Sequence, residues 1–454
     1  MSAASYAELL EHRAQLDTAA GFEPVWLPDF LFGFQAHLDE WAIRQGRGAL
    51  FTDCGTGKSP MELVWAQNVH QHTGRPVLLL APLGVTFQTE TEAAKFGIEA
   101  VTSRDGSIPA PITVANYERL HHFDRESFGG VVCDESSCLK SAGSKRRADV
   151  TEFLRKMPFR LLATATAAPN DHVELGTSSE ALGYLGNTDM LSRFFTSDPQ
   201  WRVQGHGTPW RFKGHAAEPF WRWVASWARA MRRPSDLGFS DEGFDLPPLR
   251  YRQHVVEPGM PSGDGALFDV PARDWREERG EIRRSLRERC EKAAELLQDA
   301  SPGIAWCHYN PEGDLLEKLI GGAVQVSGSD PVEAKEERLA AFARGEIRVL
   351  VTKPSVAAWG LNWQHCHRMT YFADYSFERH YQAVRRCWRF GQRSPVTVDV
   401  ITTPGASKAL ASLQRKAVQA DQMFDSLTAH MRDALAVRRA QSFELDVEVP
   451  PWAA

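Results

Sequence analysis

Five short apolar runs in the first half of the chain, at 48–52, 76–81, 112–115, 130–133 and 159–163, are bounded by turn residues and separated by helix-length stretches. None alternates polar with apolar residues as a strand with one wet face would, so each reads as a strand covered on both sides. Buried strands alternating with helices predict a parallel sheet with helices on both faces. A second series follows a tryptophan-rich interval, with strands at 303–308, 323–326, 348–352, 368–372 and 397–402 and helices at 312–319, 331–344 and 378–390. The fold class expected is therefore α/β, with two such domains in tandem.

At 454 residues the chain is long enough for two or three domains, each with its own core. The boundaries read as an N-terminal segment and first domain at 1–184, a helical Trp- and Arg-rich insertion at 185–245, a second domain at 246–405 and a helical tail at 406–454. Leu246-Pro247-Pro248 reads as a rigid extended connector, and the mixed-charge stretch 274–297 as a solvated helical face. In the insertion, Trp201, Trp210, Trp221, Trp223 and Trp227 are interleaved with arginines, which suits either stacking on nucleic-acid bases or packing against a neighbouring domain. The tail is expected to pack on the second domain.

The seven cysteines are scattered without paired spacing, which argues against a disulfide framework or a zinc ribbon and fits a reducing compartment. No apolar run reaches the about 18 residues of a membrane span, and the N-terminus lacks a secretory pattern, so a cytoplasmic protein is expected. A formal net charge of −6 excludes a global electrostatic footprint for nucleic acid, leaving a local basic surface to hold any polyanion.

The chemistry is concentrated just past the predicted strand ends, where ligands of open α/β sheets bind. After the first run comes Thr52-Asp53-Cys54-Gly55-Thr56-Gly57-Lys58-Ser59. A glycine turn opening a helix points N–H groups at an anion, Lys58 can neutralise outer phosphates, and Ser59 can hold Mg²⁺. Thr52 stands where the strict phosphate-loop pattern has glycine. The fourth run ends in Asp134 and Glu135, suited to bind Mg²⁺ and to orient an attacking water, respectively. Near the C-terminus, Gln382, Arg386, Arg389 and Gln392 place two arginines four and seven residues after a glutamine, a spacing that suits a clamp on a phosphoryl group in transfer.

These residues resemble the superfamily 2 helicases and translocases, of DEAD/DEAH-box type, and within them the Swi/Snf-like DNA translocases, particularly compact versions encoded by phages and mobile elements. The resemblance runs from about Phe34 to Thr402. It implies two tandem RecA-like domains with ATP and Mg²⁺ as cofactors, and it assigns roles residue by residue. Gln35 would read the adenine, while Cys54, Gly55, Thr56, Gly57, Lys58, Ser59, Gly360 and Gln382 would bind nucleotide. Lys58, Asp134, Glu135, Arg386 and Arg389 would be catalytic, with Ser59 and Asp134 on the metal. Pro82, Asn116, Tyr117, Ser327 and Asn362 would lie toward nucleic acid, and Thr164, Thr166 and Gln392 would couple hydrolysis to movement. Ser136 and Ser137, Ala165, Ala167 and Ala358 depart from the usual residues of the family without removing a catalytic group.

The activity implied is an ATP-driven motor on double-stranded DNA, with single-stranded DNA or RNA as alternative tracks. One rival is a strand-separating helicase with a wedge in the Trp-rich segment. Another, from a different class, is a nucleotide-dependent scaffold, for which a hydrolytic glutamate and arginine fingers would be superfluous. The tail or the insertion could receive a recruiting protein.

Overall fold

The computed structural model describes residues 20–82, 85–140, 144–168, 171–201, 209–259, 275–357 and 362–440. The chain forms two units, one of Met1–Asp241 with Gln419–Ala454 and the other of Glu242–Val418.

The first unit carries β1 (Arg47–Thr52), β2 (Val77–Ala81), β3 (Ala100–Thr102), β4 (Ile112–Asn116), β5 (Gly130–Asp134), β6 (Phe159–Ala163), β7 (Phe195–Ser197), β8 (Trp210–Phe212) and β9 (Ala228–Met231). Seven of these form one sheet in the order β3-β4-β2-β5-β6-β1-β9, and every pairing in it is parallel. The apolar runs become strands because both faces are covered: β2, β4 and β5 are buried at every position. Strand order reverses beside β1, since β6 lies on one side of it and the chain then has to cross β6 and β5 to reach β2. A crevice at such a switch point is where open α/β sheets take ligands.

The Trp-rich interval packs inward. Its helix Ala217–Trp227 buries Phe220, Trp221, Trp223 and Trp227 in the core of the first unit. It also supplies β7 and β8, an antiparallel pair, and β9, which adds to the edge of the main sheet beside β1. Arg229 hides β9 from a reading by hydrophobicity. Its guanidinium is buried, bonds the carbonyls of Ala225 and Ala228, and lies 4.3 Å from the Trp41 ring centroid. A cation so satisfied tolerates a buried strand.

The tail, expected to pack on the second domain, does not belong to that unit alone. In the helix Ser407–Ala440, Met423, Phe424, Leu427 and Met431 join the core of the first unit. Arg232 next to β9 pairs with Asp421 and Asp425 of that helix.

The second unit carries β10 (Leu249–Val255), β11 (Gly303–Trp306), β12 (Ala323–Val326), β13 (Val349–Thr352), β14 (Arg368–Phe372) and β15 (Val396–Thr402) in the order β10-β15-β14-β11-β13-β12, again all parallel. The proline connector runs directly into β10, an edge strand whose Arg250, Tyr251, Arg252 and Gln253 are exposed. Edge placement explains why it lacks the apolar run of its neighbours. The stretch read as a charged helix is two helices, Trp275–Arg284 and Leu286–Leu296.

Candidate active site

The loop after β1 is built around glycine. Gly55 and Gly57 have φ of 88° and 81°, and Gly57 caps the helix Lys58–Thr73. A Cβ on Gly57 would lie 2.2 Å from Nε2 of Gln35, so close approach as well as φ demands glycine there. Gln35 is buried, donates from Nε2 to the Thr56 carbonyl (2.9 Å) and accepts the Phe32 N–H (3.0 Å). Both ends of its amide are thus engaged by the chain, and it braces the loop from beneath. Asp53 organises the other side: its carboxylate accepts the Cys54 N–H (2.6 Å), and its carbonyl accepts the Thr56 hydroxyl (2.7 Å). Lys58 donates to the Thr52 carbonyl at 3.1 Å. Backbone serves at position 52, which is how threonine can replace the usual glycine.

Asp134 and Glu135 follow at the end of β5, both buried. Glu135 has φ of 49°, the one positive value at a non-glycine among the described residues. Such strain costs about 1–3 kcal/mol and persists where surrounding contacts over-determine it. Here the Glu135 N–H bonds the Asp134 carboxylate (2.8 Å), and a Glu135 carboxylate oxygen accepts the Thr164 hydroxyl (3.1 Å). Thr164, just after β6, also accepts the Thr166 N–H at 3.1 Å. The loops after β1, β5 and β6 thereby converge on one edge of the sheet.

A third acid completes the group. Glu62 lies one turn beyond Lys58 on the same helix, 2% exposed, and its carboxyl interacts with that of Asp134. Burial pushes Asp134 up to about 7, the neighbouring Glu135 adds to the shift, and Lys58 opposes it. Burial and then Asp134 drive Glu62 well above the ordinary carboxylate range. For Lys58 burial works against the charge, but Cys54, Glu135, Asp134 and Glu62 outweigh it and raise its pKa. Three acids around one ammonium, with Ser59 at the helix start, are a donor set suited to a hard divalent cation. No group of three or more His, Cys, Asp or Glu closes a metal site by itself among the described residues. Mg²⁺ is commonly held by one or two carboxylates together with substrate phosphates.

In the second unit the helix Phe377–Val384 ends earlier than its sequence suggests, and Arg385–Arg389 form turns beyond it. Arg386 is buried and donates to the carbonyl and side-chain oxygens of Gln382 (3.2 and 2.9 Å). Arg389 is half-buried. Gln392 donates to the carbonyls of Cys366 and Cys387 and accepts the Ser394 N–H, which makes it a staple for this turn.

No family profile matches the chain, and no curated protein matches it. Among solved structures it resembles the helicase Lhr of Mycobacterium smegmatis bound to ssDNA and AMP-PNP, with TM-score 0.50 and 15% identity over 86% of this chain. The chain spans 48% of that protein. The SWI2/SNF2 ATPase core of Sulfolobus solfataricus in complex with dsDNA aligns over 91% of this chain and 96% of its own, at 15% identity and TM-score 0.42. What is shared with Lhr is the fold. It is a fold of two parallel-sheet α/β domains.

The remaining expected residues are placed as follows. Tyr117 is buried, and its hydroxyl donates to the Asp134 carbonyl (2.6 Å), so it supports the acid loop from within. Asn116 and Asn362 each keep a buried side-chain oxygen without a hydrogen-bond partner among the described residues. Pro82 is half-buried beyond β2, and the Ser327 hydroxyl contacts that of Ser329 (3.1 Å). Gly360 lies outside the described residues. Glu62 and Asp53 escaped sequence reasoning. For Glu62 the available signal was an acid four residues after Lys58, the spacing that returns to the same helix face.

Proposed function

We propose that this protein is a nucleic-acid-stimulated ATPase of superfamily 2 that uses ATP hydrolysis to translocate along double-stranded DNA. The observation that carries the reading is the convergence of Lys58, Asp134 and Glu135 at one sheet edge, with Glu135 tied to Thr164 on the next loop. Hydrolysis needs a phosphate cradle, a base for water and a link from that base to a moving element, and these residues supply all three. The helicase whose fold it shares, Lhr, was captured with ssDNA and AMP-PNP, which supports nucleotide and nucleic acid as ligands of this chain also.

In this reading the Gly55, Thr56 and Gly57 amides and Lys58 hold the triphosphate, while Ser59 and Asp134 would hold Mg²⁺. Bound there, Mg²⁺ would neutralise charge on the phosphates. Glu135 orients the attacking water and takes its proton. Arg386 and Arg389 carry the spacing of arginine fingers, which contribute about 10³- to 10⁵-fold where they act. Contacts to nucleic acid run mainly to phosphates, giving little sequence preference and a steep salt dependence.

The test is steady-state ATP hydrolysis by wild type, Lys58→Ala and Arg389→Ala, each with no nucleic acid, blunt duplex DNA, single-stranded DNA and RNA. Stimulation by blunt duplex, abolished in both variants, is expected. Stimulation by single strands alone would replace translocation with strand separation. Hydrolysis indifferent to every nucleic acid would remove the motor and leave a partner-regulated ATPase.

A further inference from the structure

Within the second unit β11, β13, β14 and β15 all point their carboxyl ends at one concavity of about 380 Å³. That volume lies in the range of small-ligand sites, and the carboxyl edge is where an α/β sheet places them. Its floor is apolar, formed by Pro354, Phe372 and Ile401. One wall is a finished internal structure. Arg289 pairs with Glu312 at 2.8 Å, both almost fully buried, and the second Glu312 oxygen accepts the N–H groups of His308 and Tyr309.

The lining also holds two cations. Lys353 donates to Asn310 at 2.5 Å, and the Arg379 side chain is exposed. Neither has a carboxylate within ion-pairing distance among the described residues, although both line the cavity. Asp374 is held in one orientation, its Oδ1 accepting the Tyr371 hydroxyl (3.1 Å) and the Ser376 N–H (3.3 Å). Tyr309 and Tyr375 also line the concavity and are each 45% exposed.

Two cations without acid partners suit a phosphate, a fixed carboxylate suits an exocyclic amine, and exposed tyrosine faces suit a base. The volume admits one nucleotide and excludes a duplex. We propose that this cavity binds a single nucleoside monophosphate unit, either free or as an unpaired residue of a strand, at a site separate from the phosphate loop of the first unit. The phosphate lies toward Lys353 and Arg379, and the base against Tyr309 or Tyr375.

The test is photocrosslinking of the full chain with free thiouridine monophosphate and, separately, with a short single-stranded oligonucleotide carrying one thiouridine, followed by peptide mapping. An adduct on the peptide of Tyr309 or Tyr375 is expected in at least one arm. Tyr309→Ala and Arg379→Glu should each lower its yield about tenfold, the loss of one good contact, while hydrolysis of ATP without nucleic acid stays unchanged. An adduct with the free monophosphate identifies a mononucleotide site, and one with the oligonucleotide alone identifies an unpaired base. Adducts absent from both peptides in both arms, or insensitive to both substitutions, overturn the proposal. Because adduct position is read rather than hydrolysis, that failure leaves the ATPase reading standing.

Discussion

Thr164→Val removes one hydroxyl and almost no volume. In the first unit that hydroxyl donates to Glu135 at 3.1 Å and accepts the Thr166 N–H at 3.1 Å, and Thr164 is 1% exposed, so water has no route to replace it. A hydrogen bond to a charged group contributes about 1.5–3 kcal/mol. If the whole of that acts on the orientation of Glu135 in the transition state, kcat for ATP falls about ten- to hundredfold. The cradle of Gly55, Thr56, Gly57 and Lys58 is untouched, so KM for ATP should hold. Thr164→Ser, which keeps the donor, should restore most of the rate. Glu135→Gln alone should lower kcat by about 10²- to 10⁴-fold as a lost general base. With no carboxylate left to orient, adding Thr164→Val to that variant should change the rate by less than about twofold. An equal drop from Thr164→Val in both backgrounds would falsify the coupling, as would a rise in KM at constant kcat.

Three further outcomes are expected. Gly57→Ala should weaken binding of a fluorescent ATP analogue by at least about fivefold, since it combines a left-handed φ costing about 1–2 kcal/mol with a Cβ 2.2 Å from the Gln35 amide nitrogen, which must shift; binding within threefold of wild type would refute the packing argument. Asp39 is fully buried, neither oxygen has a hydrogen-bond partner among the described residues, and burial alone raises its pKa well above the usual value. The folded state therefore holds the proton more tightly than the unfolded one, and stability drops with rising pH above the unfolded value, by up to about 1.4 kcal/mol per pH unit until the folded pKa is reached. Asp39→Asn should flatten that decline in urea titrations at pH 5 to 8 and gain most at the alkaline end. Leu427→Ala, at a fully buried site, should cost the first unit about 2–5 kcal/mol, read as faster amide exchange in β9 and in the helix Ala217–Trp227.

How much of this could be read from residues alone depended on whether burial and apolarity coincide. At β2, β5 and β6 they do, and the expected strands match those found within a residue. At β9 they part company, because Arg229 is buried with its charge satisfied by carbonyls and a ring, which no window of hydropathy registers. At β10 an edge position permits Arg and Gln in a true strand. The three residues of β3 are too few to show a period. The site divides in the same way. The positions of Lys58, Asp134, Glu135 and Thr164 at or just past strand ends were legible because backbone turns after strands fix them, whereas the inward turn of Tyr117 and the engagement of both ends of Gln35 depend on tertiary neighbours. Glu62 sits among apolar residues of a helix, and only the folded partner Asp134 gives it a role.

The first unit is discontinuous in sequence, and a ribosome reads sequence in order. Met423, Phe424, Leu427 and Met431 emerge only after all of residues 242–418 have been made, yet they complete the core around Trp227 and β9. Until then the nascent chain exposes the apolar surface that they cover. Synthesis at roughly 5–20 residues per second makes that interval many seconds long, a window in which chaperone capture or misassembly competes with completion. A chain terminated before residue 419 would carry the loop residues discussed above while lacking the segment that seals the unit bearing them.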